Sequence, residues 1–164
     1  MPGFAKDFGE TSASSVEPLS RAATSGKPDI TVWNRQRRVP IDLKWLRADA
    51  NRAVQLVGEM STRRTLPENI SVVLVSDRRI EQLHWDYMRV SGPTDVITFD
   101  HGDVFISVET ARRQAAEFAS SLEREVRLYL IHGLLHLVGF DDHAPEVAAV
   151  MRKVQERLLG ELVG

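Results

Sequence analysis

Three of the five histidines in this chain lie close together, and their spacing could bind a metal ion. They are His132, His136 and His143 in the segment HGLLHLVGFDDH, residues 132–143. In a helix, His132 and His136 would share one face with their Cβ atoms about 5–6 Å apart. Both imidazoles could then reach one tetrahedral zinc ion at roughly 2.0–2.1 Å. Imidazoles buried side by side without a shared partner would lose hydration with nothing to offset it. The spacing therefore favours a metal site over core histidines, each satisfied by a backbone carbonyl.

A third ligand is expected from the loop that follows the helix. Gly139 would let the chain turn back at the helix end, and His143 is then the predicted third ligand. Three protein ligands with one open position are typical of catalytic zinc sites, whereas structural sites have four. The pattern thus predicts a catalytic metal rather than a structural one.

The residue after the first histidine argues against peptide hydrolysis. Zinc peptidases with the H-E-x-x-H motif use a glutamate there as general base, but this chain has Gly133, and residues 128–140 contain no acidic residue. Glycine inside a helix costs about 0.5–1 kcal/mol relative to alanine. A glycine at position 133 would be explained either by close approach of a backbone or substrate above the metal, or by tight helix packing.

The order of hydrophobic patterns predicts an α+β domain. One small mixed four-stranded sheet should pack with about five helices in a single domain. Strands are predicted at residues 30–34, 70–75, 95–99 and 103–107, and helices at about 41–57, 78–88, 108–120, 122–138 and 144–159. Residues 122–138 would be the helix that carries the first two histidines.

Composition excludes several classes of protein. The chain has 164 residues, no cysteine and a formal net charge of −2, which rules out disulfides, thiolate metal sites and cysteine nucleophiles. Residues 1–29 lack an apolar period and are predicted to be a disordered tail preceding a domain at 30–164. They do not resemble a signal peptide, and the longest apolar run is too short to cross a bilayer. These features favour a cytoplasmic protein.

Several segments together resemble one known family. HGLLHLVGFDDH is similar to the H-G-x-L-H-L-x-G-[YF]-D-H signature of the YbeY family, bacterial metal-dependent endoribonucleases implicated in ribosomal RNA maturation. PTDVITF at residues 93–99 resembles the family's P-T-D-V-L-S-F strand, and GDVFIS at residues 102–107 resembles its G-D-I-x-I-S strand. The segment at residues 70–89 is similar to the preceding strand and helix, which in the family end in an arginine near the active site. The resemblance covers roughly residues 30–160.

The resemblance implies a zinc-dependent, single-strand-specific endoribonuclease that acts in ribosomal RNA maturation and ribosome quality control. It implies one zinc ion per chain on His132, His136 and His143, and a catalytic role for Arg89 in holding phosphate oxygens. Its implied partners are ribosomal RNA, a small-subunit ribosomal protein facing the strand of Asp103, and an assembly GTPase. Two alternatives stay open: a zinc hydrolase of another substrate such as peptides, and a non-catalytic ribosome-assembly factor with a structural metal.

The sequence departs from the family at the third ligand. The family motif has its third histidine six residues after the second, but His143 is seven after His136, and Asp142 has the six-residue spacing. One extra residue adds about 3.3–3.6 Å of reach, so His143 is preferred and Asp142 is the alternative. Asp141 would either orient a ligand imidazole or be a turn residue. His84, where the family commonly has asparagine, is the second departure.

Overall fold

The computed structural model describes residues 26–164, which form four strands and five helices. The predicted tail lies outside the described residues up to residue 25. The strands are β1 (Asp29–Asn34), β2 (Asn69–Val75), β3 (Val96–Thr98) and β4 (Asp103–Ser107), and the helices are α1 (Leu43–Gly58), α2 (Asp77–Met88), α3 (Val108–Glu117), α4 (Leu122–Leu137) and α5 (Pro145–Val163). The predicted α+β class, with one four-stranded sheet and five helices, is confirmed.

The sheet is mixed, with strand order β1-β2-β4-β3. Strand β2 runs parallel to both β1 and β4, and β3 pairs antiparallel with β4. The β-branched run of β2 therefore lies at the centre, where Val72 pairs with Val32 on one side and Val104 on the other. All three valines are buried, as expected for a strand covered by helices.

Helix ends differ from the prediction where a capping residue decides the start. The predicted start of the first helix at Ile41 is wrong, because Asp42 caps the helix and its side chain accepts a 2.9 Å hydrogen bond from the backbone N–H of Lys44. A carboxylate at this position satisfies an otherwise unpaired N–H. Helix α3 ends at Glu117, earlier than predicted, and α5 continues to Val163.

Helix α4 lies in the centre of the domain. It contacts β3 and β4 on one side and α1, α3 and α5 on others. Leu130, Leu134 and Leu135 are fully buried, whereas the side chains of His132 and His136 are 22% and 27% exposed. Between Tyr129 and Val138, His132 and His136 are the two residues that are not buried. Within residues 26–164, no helix is both long and apolar enough to cross a membrane.

Gly133 marks the closest approach of α4 to the sheet. A Cβ atom there would lie 2.6 Å from Cγ1 of Val104 and 3.2 Å from the hydroxyl of Thr98. Both neighbours belong to the sheet, so tight packing accounts for the glycine. The absence of a side chain at Gly133 lets the helical turn that carries His132 pack directly on β3 and β4.

Adding a methyl group at Gly133 should destabilise the protein. We expect Gly133→Ala to lower the free energy of unfolding by about 1–3 kcal/mol, because Val104 cannot move away without disturbing the core. Removing the clash by combining it with Val104→Ala should recover stability relative to Val104→Ala alone, since alanine is the better helix former. Urea unfolding of the three variants measures this. Equal stability of Gly133→Ala and the parent protein would refute the packing explanation.

Asp77 fixes the start of α2 to α3. Its carboxylate accepts hydrogen bonds from the hydroxyls of Ser107 at 2.6 Å and Thr110 at 2.7 Å, and it pairs with Arg113. Burial raises the pKa of Asp77, but the hydrogen bonds from Arg113, Ser107 and Thr110 outweigh it and hold the pKa below its ordinary value. The folded protein therefore stabilises the charged form of the Asp77 carboxylate more than the unfolded chain does.

Asp77→Asn should therefore reduce stability in a pH-dependent way. At neutral pH we expect a loss of about 1.5–3 kcal/mol, the range for hydrogen bonds to a charged group. A depressed folded-state pKa gives stability above the unfolded-state pKa that is lost as the pH falls, so the difference from the parent protein should shrink below about pH 4. Thermal melts from pH 3 to 8 measure it. Asp86→Asn, an exposed site on the same helix, is the control, and a difference independent of pH would contradict the assignment.

Candidate metal centre

His132 and His136 face each other across one turn of α4. Their ring centroids are 4.6 Å apart, and their Nε2 atoms are separated by 2.9 Å. Helix α4 starts after its N-cap Ser121, whose side chain accepts a hydrogen bond from the N–H of Arg124. The predicted one-face arrangement of the two imidazoles is therefore present.

Each ring is oriented by a hydrogen bond at its other nitrogen. Nδ1 of His132 lies 2.8 Å from Oε1 of Gln155, and Nδ1 of His136 lies 3.0 Å from the carbonyl oxygen of Phe140. Both partners are acceptors, so each Nδ1 carries the proton and donates it. Metal-binding histidines usually donate their second N–H in this way, because it fixes the tautomer and the ring orientation.

The outward hydrogen bonds leave two lone pairs pointing at each other. With both protons on Nδ1, the Nε2 atoms of His132 and His136 are acceptors 2.9 Å apart, an arrangement that a cation bound to both nitrogens would stabilise. Burial lowers the pKa of His136 below its ordinary value, and the neighbouring His132 lowers it further. Because burial disfavours the protonated form of His136, its Nε2 lone pair is available to a divalent metal ion.

Asp142 lies beside the two imidazoles. Its Oδ2 atom is 3.4 Å from Nε2 of His132, and its Oδ1 atom is 3.7 Å from Nε2 of His136. One ligand atom from each of the three residues lies within 4.8 Å of the others. Two imidazoles and a carboxylate are ordinary ligands of zinc, so this donor set fits a zinc ion.

His143, the third predicted ligand, is oriented differently. Its side chain is 88% exposed, and Nδ1 pairs with Oδ1 of Asp141. Its backbone N–H donates to the same oxygen at 3.0 Å. The hydrogen bond to Asp141 raises the pKa of His143. The structure therefore brings His132 and His136 together with Asp142, and it pairs His143 with Asp141.

Gly139 turns the chain back toward the histidines, as the sequence predicts. Its φ is +97°, a region that favours glycine, and its N–H donates to the carbonyl of His136 at 3.0 Å. The N–H of Phe140 bonds to the carbonyl of Leu135 at 3.0 Å. This ending directs the Phe140 carbonyl back to the His136 ring and brings Asp142 over both imidazoles.

Arg89, the predicted catalytic residue, lies at the end of α2. It caps the helix in the left-handed region with φ 55°, and its guanidinium lies over the ring of Trp85 at 5.7 Å. The loop that follows is anchored by His84, whose Nδ1 donates to the carbonyl of Gly92 at 3.0 Å. His84 therefore anchors the loop before Thr94 to helix α2.

Two aspartates lie at the ends of the hairpin strands: Asp95 directly precedes β3, and Asp103 is the first residue of β4. Oδ1 of Asp95 accepts from the hydroxyl of Thr94 at 3.2 Å and from the N–H of Val96 at 2.8 Å. Asp103 pairs with His101 at 2.7 Å at the end of the β3–β4 hairpin. Asp95 is therefore a turn residue that precedes β3.

Sequence reasoning missed Gln155. It lies on α5, 23 residues after His132, and no spacing rule connects the two. The signal that could have found it is the requirement that a ligand histidine have an acceptor for its second N–H. That requirement does not name a residue until the packing of α5 against α4 is known.

Removing the Gln155 acceptor should weaken metal binding. We expect Gln155→Leu to raise the zinc dissociation constant about 10–100-fold, the usual effect of losing such a partner. Gln155→Glu keeps an acceptor and should retain affinity. Competition with a chromophoric chelator measures both, with Lys153→Ala, an exposed site on the same helix, as control. Unchanged affinity in Gln155→Leu would show that His132 is oriented by something else.

A solved structure shares this fold. The solution structure of TM1509 from Thermotoga maritima aligns with a TM-score of 0.54 over 81% of this chain and 91% of that one, at 23% sequence identity. At this level of identity the likeness concerns the fold alone. It places the chain in a class of small α+β domains with a four-stranded mixed sheet.

Sequence comparison identifies the family within that class. Proteins named endoribonuclease YbeY are 38% identical over 111 residues in Heliobacterium modesticaldum (55% of this chain, 67% of the relative), 36% over 124 in Lacticaseibacillus casei (64% and 82%) and 35% over 133 in Symbiobacterium thermophilum (70% and 83%). The family model described as endoribonuclease YbeY matches residues 31–163. The chain belongs to the YbeY family, and the resemblance drawn from its motifs is confirmed.

Proposed function

We propose that this protein is a zinc-dependent, single-strand-specific endoribonuclease that acts in ribosomal RNA maturation and ribosome quality control in the cytoplasm. One observation carries the metal dependence. The two Nε2 atoms of His132 and His136 face each other at 2.9 Å while both Nδ1 atoms are held by acceptors. Family membership supplies the reaction class, the hydrolysis of RNA phosphodiester bonds.

The residues of the chain have separate roles in this proposal. His132 and His136 hold the ion, with a third ligand from the loop at residues 141–143, where the sequence predicts His143. A bound divalent ion would supply Lewis-acid catalysis at the phosphodiester. The guanidinium of Arg89 would bind two phosphate oxygens and stabilise their developing negative charge.

The alternative of peptide hydrolysis has less support. The position of the peptidase glutamate is Gly133, which is buried against Val104 and Thr98. A glutamate there would meet the sheet rather than a substrate. The second alternative, a structural metal in an assembly factor, is opposed by the partial exposure of both histidines and of Asp142, whose side chain is 39% exposed. Fewer than four protein donors around an exposed ion leave room for a substrate.

The implied partners are ribosomal RNA, a small-subunit ribosomal protein and an assembly GTPase. Asp103 and His101 form a hydrogen bond at the tip of the β3–β4 hairpin, where both side chains are substantially exposed. An exposed polar pair at a hairpin tip is accessible to a protein partner, which supports the assignment of this strand to the ribosomal contact.

A substrate comparison with metal removal tests the function. Purified full-length protein should cleave a single-stranded RNA, leave duplex RNA and casein intact, lose activity after chelation and regain it when zinc is added. The His132→Ala protein, prepared in parallel, controls for contaminating nucleases. Cleavage of casein, or RNA cleavage that survives complete chelation, would refute the proposal.

A further inference from the structure

The geometry points to Asp142, not His143, as the third protein ligand, so that this chain holds its ion with two imidazoles and one carboxylate. The inference rests on the proposed metal centre and names one of its ligands. It differs from the three-histidine site that the family resemblance implies. The departure originates in the spacing of the segment, where Asp142 lies six residues after His136.

The first support is the spacing of the donor atoms. Donors at 2.0–2.1 Å from a tetrahedral zinc ion lie about 3.3–3.4 Å apart. Here the two imidazole Nε2 atoms are 2.9 Å apart, Oδ2 of Asp142 is 3.4 Å from Nε2 of His132, and the other oxygen, Oδ1, is 3.7 Å from Nε2 of His136. These distances bracket the required spacing, so small side-chain adjustments would bring one carboxylate oxygen and both imidazoles onto one ion.

The second support is the position of His143. Its ring and its backbone N–H both bond to Oδ1 of Asp141, and its side chain is 88% exposed. Within residues 26–164, the ligand atoms that lie within 4.8 Å of one another around His132 and His136 include a carboxylate oxygen of Asp142 and no atom of His143. Asp142 can therefore complete the set with the loop as it stands.

A carboxylate ligand changes the chemistry of the site. It neutralises one of the two positive charges of the ion, and it is a harder donor than imidazole. Two histidines and one carboxylate are found in catalytic zinc sites and in the facial triad that binds Fe²⁺. The site should therefore accept manganese, iron and cobalt more readily, relative to zinc, than a site of three histidines.

Matched substitutions in the loop test the inference. In full-length protein we expect Asp142→Ala to raise the dissociation constants of Co²⁺ and Zn²⁺ about 100-fold or more, since a ligand is lost. His143→Ala should change them by less than about threefold. Asp142→His should restore zinc binding and alter the visible absorption of the Co²⁺ complex, because a nitrogen donor replaces an oxygen donor. Both native side chains are exposed, so thermal melts should show little change without metal.

The outcomes separate this inference from the proposed function. Loss of metal binding in His143→Ala, with binding retained in Asp142→Ala, would overturn the assignment of Asp142 and leave the nuclease proposal standing. Asp142-dependent cobalt binding without RNA cleavage by the zinc-loaded protein would support the ligand assignment and refute the proposed function. Failure of the parent protein to bind cobalt or zinc would overturn both.

Discussion

Replacement of either His132 or His136 by alanine is expected to abolish metal binding. The metal content should fall from about one ion per chain to a level below detection, because two remaining ligands hold a divalent ion weakly. RNA cleavage should be lost with the metal. Each substitution also breaks a ring hydrogen bond, to Gln155 or to the Phe140 carbonyl, so a modest loss of stability is expected without metal.

Zinc addition gives this prediction a second measurement. A ligand present at 100 times its dissociation constant stabilises the folded state by about 2.7 kcal/mol. For a chain of this length that corresponds to a rise in Tm of roughly 5–10 °C. The parent protein should show this rise, and the two alanine variants should not. His101→Ala, a histidine outside the centre, is the control. If both alanine variants kept stoichiometric zinc, the two imidazoles would not be ligands.

Replacement of Arg89 by alanine should remove most RNA cleavage while leaving the metal in place. Loss of one group that stabilises negative charge in the transition state typically costs about 10²–10³-fold in rate. The guanidinium of Arg89 lies over the exposed ring of Trp85, a contact worth about 0.5–1 kcal/mol at exposed sites. Tm should therefore fall by only a few degrees, and zinc content should not change.

Two controls separate charge from structure at Arg89. Arg89→Lys keeps the charge but loses the fork that holds two phosphate oxygens, so its activity should fall between those of the parent and the alanine variant. Arg78→Ala removes an exposed arginine from the same helix and should leave cleavage intact. Undiminished turnover in Arg89→Ala would remove its catalytic role. Loss of zinc in that variant would instead indicate a structural role near the metal.

Much of the fold follows from local pattern. The β-branched run of β2 and the Gly139 turn each predict their structure from a few neighbouring residues. Pro40 favours a helix start at Ile41, whereas the N–H of Lys44 donates a hydrogen bond to the Asp42 carboxylate and the helix starts at Leu43. Where two residues indicate different helix starts, the residue whose side chain accepts a hydrogen bond from a backbone N–H sets the start.

The site could be predicted only where its residues are close in sequence. The spacing of His132 and His136 is enough to place both on one face of a helix, and the structure brings them together. Gln155 could not be found, because its contact depends on how α5 packs on α4. The choice between Asp142 and His143 depends on the loop after Gly139, where a single residue of register changes which side chain faces the imidazoles.

Anomalous X-ray diffraction at the zinc edge, from crystals of the zinc-loaded protein, would locate the ion relative to the two imidazoles. We expect one peak about 2.0–2.1 Å from Nε2 of both His132 and His136, with both Nδ1 atoms still bonded to Gln155 and the Phe140 carbonyl. One coordination position of the ion should be free of protein ligands. A zinc-loaded crystal without a peak between these rings, or with rings turned so that their Nε2 atoms face separate carbonyl oxygens, would contradict this expectation.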